Sequence, residues 1–86
     1  MEQHVERMLK EQVELCEKIL KLGQFITENK IFDTLSKDEK YDMRLQFDLM
    51  TMYRDILQHR IDRAIAQKEY VNAVHFQKTT KTHTKQ

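Results

Sequence analysis

Eighty-six residues with a formal net charge of +1, from 15 basic and 14 acidic side chains, make at most one domain and no whole-chain electrostatic footprint for nucleic acid. The single cysteine excludes an internal disulfide, the four scattered histidines lack zinc-ligand spacing, and no apolar run approaches the roughly 20 residues of a membrane span. A chain this short buries only roughly 60% of the surface its unfolded form exposes, so self-association or a protein partner is the stabilising device left to it.

With no proline and one glycine, Gly23, the chain favours helix nearly throughout. From Glu2 to about Asn29, Val5, Met8, Leu15, Ile19, Leu22 and Ile26 recur in steps of three and four with Gln12 in the vacant slot, which predicts a first amphipathic helix. Leu9, Cys16 and Gly23 widen this seam into a face. Cys16 reads as a small buried hydrophobe, and Gly23 either as a point where another backbone approaches closely or as a local weakening of the helix. On the other side Glu6 and Lys10, Glu14 and Lys18, and Glu17 and Lys21 are spaced for exposed acid-first ion pairs.

Asn29 ends this helix, and Lys30 to Leu35, with Ile31, Phe32 and Leu35, is apolar enough to pack over the end of a hairpin. Ser36 followed by Glu39 has capping-box spacing, and Asp38 adds negative charge to the first turn, so a second helix begins here. It carries two apolar stripes, one of Tyr41, Leu45, Leu49, Met52 and Ile56, the other of Met43, Phe47, Met50, Leu57, Ile61, Ala64 and Ile65. One antiparallel helix covers one seam, so the second stripe calls for a further packing partner, the alternative being that the connecting segment and the C-terminal part fold back over it. Residues 67–77 either continue the second helix or form a short third one, with Tyr70, Val71 and Val74 as a dimerisation arm in the first case. The polar stretch 79–86 reads as a disordered tail, which makes 1–78 the domain. The predicted fold is therefore all-α: an antiparallel two-helix hairpin with a helical C-terminal extension, completing its core by oligomerisation, coiled-coil fashion.

A turn near Asp33 pairs positions whose numbers sum to roughly 66, at equal helical rise on both sides. Cys16 then faces Met50, Ile19 faces Phe47, Met8 faces Leu57 and Val5 faces Ile61, with Gln12 near Tyr53 and Arg54. At the open end Glu2, His4 and Arg7 come near His59, Arg60, Asp62 and Arg63. Arg7, Arg60 and Arg63 are the candidate contacts for an anion or an acidic partner, because guanidinium presents a planar fork of donors; the alternative is a solvated surface balanced by Glu2 and Asp62. Leu45, Leu49, Met52, Ile56, Tyr70 and Val74 are the candidate oligomer or partner surface. There is no nucleophile elbow, phosphate loop, carboxylate pair or Cys–His partnership, so neither an enzyme nor a cofactor or metal is expected. A lone thiol without a signal peptide suggests the cytoplasm.

Through Phe32, Leu35, Ser36, Glu39, Met43, Gln46, Leu49, Met50, Tyr53, Ile56, Leu57, Arg60 and Ile61 the chain resembles small helical-hairpin accessory proteins of tailed bacteriophages, over about residues 5–65. The resemblance implies a phage product in the bacterial cytoplasm that binds and inhibits a host or antiviral-defence protein. Two alternatives stay open: nucleic-acid binding through Arg7, Arg60, Arg63 and the tail lysines Lys78, Lys81 and Lys85, and oligomeric sequestration of a nucleotide signal, with arginines holding its phosphates.

Overall fold

The structure, a computed structural model, describes the backbone of residues 3–84 and the side chains of residues 3–67. It is a helical hairpin with no strand among the described residues: α1 spans Gln3–Glu28, α2 is a single turn at Lys30–Asp33, and α3 runs from Lys37 to Thr84. α1 and α3 pack against each other along the hairpin.

The turn forms as its residue types dictate. α1 stops at Glu28 because the Asn29 backbone turns to an extended conformation, where its side-chain oxygen accepts from the Ile31 amide at 2.8 Å and caps α2. α2 drives Phe32 inward, 2% exposed, and leaves Ile31 outside. The Phe32 ring meets Phe25 edge-on, with centroids 6.1 Å apart and planes at 89°. Arg44 and Lys40 reach over the same ring from the first turns of α3, at 5.1 and 5.9 Å from its centroid. Ser36 Oγ accepts from the Glu39 amide at 3.0 Å, so the cap expected at the start of α3 is present.

α3 is continuous, since nothing between 37 and 84 breaks it, and residues 67–77 prolong it without a third helix. Its backbone is helical through Thr84, into the stretch whose composition suggested a disordered tail. At 1.5 Å per residue α3 is about 72 Å long and α1 about 39 Å, so α1 covers little more than half of its partner. The molecule accordingly measures 72 × 18 × 18 Å, with a radius of gyration of 21.2 Å. A compact domain of this length would have about 12 Å. The chain does not fold back on itself a second time, and it leaves helix surface that a globular chain would bury.

The core is a narrow seam. Val5, Met8, Leu57 and Ile61 form one cluster, flanked by Leu9 and Ala64, and Leu15, Ile19 and Phe32 continue the burial toward the turn. Met8 and Val5 thus join Leu57 and Ile61 as the register predicts. Nearer the turn the Phe47 ring lies against Gly23: a Cβ built there would stand 3.0 Å from Phe47 Cε1, so the glycine is what lets the ring sit on the α1 backbone.

Two expectations about α1 need correction. Cys16 is exposed, and full burial in α1 is confined to Val5, Met8, Leu15 and Ile19. Gln12 does not pair with Tyr53 or Arg54. Its amide nitrogen donates to Gln58 Oε1 at 2.5 Å, while Tyr53 turns to Glu11. The acid-first pairs of α1 stand in solvent, and the one ion pair among the described residues is Arg54 with Asp55, at 3.4 Å.

Candidate functional site

The flank of α3 carrying Tyr41, Leu45, Leu49, Met52 and Ile56 is open to solvent. Leu49, Met52 and Ile56 are 55, 59 and 54% exposed, and Tyr41 and Leu45 stand out in the same way. A helix turns about 100° per residue, which sets this stripe roughly 150° round α3 from the side bearing Phe47, Leu57 and Ile61. α1 occupies that other side, so it cannot shield the stripe from any hairpin geometry. A shallow groove of about 380 Å³ runs along the margin of the stripe, lined by Asp42, Leu45, Gln46, Leu49, Met50 and Tyr53. Tyr70 and Val74, expected to extend this surface, lie outside the residues whose side chains are described, as do Lys78, Lys81 and Lys85.

A second feature sits at the open end of the hairpin. His4 and Met8 of α1 and Arg60, Arg63, Ala64 and Gln67 of α3 line a groove of about 240 Å³. The antiparallel register brings His4 to the two arginines, while Arg7 is exposed and is not part of the groove. Glu2 lies outside the described residues. Asp62 accepts from the Gln58 amide at 2.8 Å, so that its carboxylate is held along α3 by a neutral partner. The groove combines two guanidinium forks with an apolar floor of Met8 and Ala64. Such a lining suits an anion that also has an apolar or planar part.

A shifted titratable group, Tyr53, lines the first of these grooves. Tyr53 donates its phenolic hydrogen to Glu11 Oε2, a contact that sequence periodicity could not have found because both residues lie beside the seam. That hydrogen bond raises the Tyr53 pKa above the usual value near 10, with desolvation and the Glu11 charge adding to it and Arg60 opposing it. A raised folded-state pKa means that the contribution of the contact to stability is complete below the ordinary value and lost as pH rises through the folded one. Wild-type protein should therefore lose stability more steeply than Tyr53→Phe as pH rises above about 10, as read from urea midpoints. Equal slopes would show that the contact contributes nothing to folding.

Among the described residues no group of His, Cys, Asp and Glu is placed to hold a metal ion, and no helix is long and apolar enough to cross a membrane. A family model described as Sequestin matches residues 2–63, the hairpin as far as Arg63. Comparison with curated proteins and with solved structures finds no significant match.

Proposed function

The chain belongs to the Sequestin family, and from that premise we propose that it is a non-enzymatic accessory protein of a tailed bacteriophage. It acts in the bacterial cytoplasm as an oligomer that binds a host or antiviral-defence component on a helical surface and holds it out of action. The family name is that of a sequestering protein, and sequestration asks for binding without turnover. The observation that carries the reading is the exposed stripe of Leu45, Leu49, Met52 and Ile56 on a helix whose other side is already packed. Monomeric proteins seldom leave a contiguous apolar surface uncovered, and those that do generally use it for binding.

The test is affinity purification of the tagged protein from infected or defence-carrying cells, with bound proteins read by mass spectrometry and bound small molecules by extraction after denaturation. A sequestering protein returns its ligand chemically intact and inhibits in proportion to its own concentration. Inhibition at far below one equivalent, with an altered ligand, would sink the reading.

A second reading is favoured by the groove of His4, Arg60 and Arg63, in which the sequestered component is a nucleotide signal whose phosphates meet the two guanidinium groups. Thermal shift with a panel of mono- and cyclic nucleotides tests it. Arg60→Glu and Arg63→Glu should each abolish any stabilisation that the wild type shows, and a panel that leaves the wild-type melting temperature unmoved is fatal to it.

A further inference from the structure

The charges bordering the apolar stripe of α3 are sorted along the helix. Within about 60° of the centre of that face, at about 100° per residue, the acidic groups are Asp38, Asp42 and Asp48 and the basic or basic-capable groups are His59, Arg60 and Arg63. All three acids lie on the N-terminal side of Leu49, and all three bases lie beyond Ile56. The face thus reads acidic, apolar, basic from one end to the other, and all six of these residues are exposed.

A surface with that polarity is complementary to itself only when reversed. We propose that the occupant of the stripe is a second copy of this chain, with the two α3 helices packed antiparallel about a two-fold axis that passes between Leu49 and Met52. Setting Leu49 against Met52 of the second copy places Leu45 against Ile56 and Asp38 against Arg63, with Asp42 beside Arg60 on one flank and Tyr41 beside His59 on the other. Each contact occurs twice, as an isologous interface requires. Four apolar residues per copy fill the centre, the Asp42–Arg60 pairs flank it, and the Asp38–Arg63 pairs close both rims. The parallel arrangement would set Asp38 beside Asp38 and Arg63 beside Arg63, and it is disfavoured at both ends. The product is a four-helix bundle with the α3 helices inside and the α1 helices outside, and in it both stripes of α3 are covered. This inference rests on the assembling reading under Proposed function and specifies its partner, direction and register.

The experiment uses full-length protein with Cys16→Ala, a change at an exposed position, and a single spin label at Lys37→Cys. Light scattering should give twice the 10.5 kDa chain mass. Dipolar spectroscopy should place the two labels about 40 Å apart, the axial separation that antiparallel packing sets at 1.5 Å per residue, whereas parallel packing sets them about 10 Å apart. Asp38→Arg and Arg63→Asp should each weaken dimerisation roughly tenfold at low salt, the scale of two rim ion pairs turned repulsive, and the double exchange should restore it. A chain that stays monomeric at high concentration overturns both the inference and the assembling reading. An oligomer with labels near 10 Å, or one in which the double exchange fails to rescue, overturns the antiparallel register and leaves assembly standing.

Discussion

Leu57→Ala should cost about 2–5 kcal/mol of unfolding free energy, the range for deleting a fully buried leucine side chain. Leu57 is 0% exposed and sits between Val5, Met8 and Ile61, in a seam where only seven described side chains are buried at all. Rigid helix backbones on both sides allow little collapse into the space left behind, so the loss should fall in the upper part of that range. Small domains have about 5–15 kcal/mol in total, which leaves the variant close to unfolding at 37 °C. Circular dichroism melts check this at a fixed protein concentration, because an oligomer's melting temperature depends on it. The informative control is Leu49→Ala. In an isolated hairpin this change at an exposed position should fall within about 0.5 kcal/mol of wild type. In the antiparallel dimer it removes buried surface twice, and its cost should grow with protein concentration. A Leu57→Ala protein that melts like wild type would mean that the seam is not the core.

Phe32→Ala should be as damaging, at about 3–5 kcal/mol, although Phe32 belongs to a helix of one turn. Its ring is the closure of the hairpin: edge-on to Phe25 of α1 and under the cations of Arg44 and Lys40 of α3, it joins all three elements at one point. Phe32→Leu separates the contributions. Leucine retains most of the burial but loses the aromatic pair and both cation contacts, together worth about 1–2 kcal/mol. Urea midpoints should therefore rank wild type, Phe32→Leu and Phe32→Ala in that order. Equal midpoints for the two variants would assign the whole effect to the ring contacts, and a Phe32→Leu midpoint equal to wild type would assign it to burial.

Much of this hairpin was legible because helices write their period into the sequence. The steps of Val5, Met8, Leu15 and Ile19, the Ser36 cap and the acidic first turn of α3 are local signals, and local backbone geometry answers to them directly. The pairing of Val5 and Met8 with Ile61 and Leu57 followed from length arithmetic alone. The spacing marked Gly23 as a point of close approach, and the packed hairpin puts the Phe47 ring there. Cys16 misled. Periodicity marks which residues could be buried, and the reach of the neighbouring helix decides which are. The Tyr53–Glu11 and Gln12–Gln58 contacts were out of reach because long polar side chains beside a seam have several partners at similar distance.

Composition and spacing by themselves determined that the chain is helical, where its turn begins, and that α3 carries more apolar surface than one partner can hide. The register arithmetic also set the Phe47, Leu57 and Ile61 stripe against α1, whereas only the packed hairpin decided that Cys16 faces solvent and that His4 joins Arg60 and Arg63 while Arg7 does not. The division has a physical cause. Helix formation is governed by residues within a few positions of one another, whereas the choice of buried face depends on the rotation and register of two helices, which are set by contacts between residues some fifty positions apart.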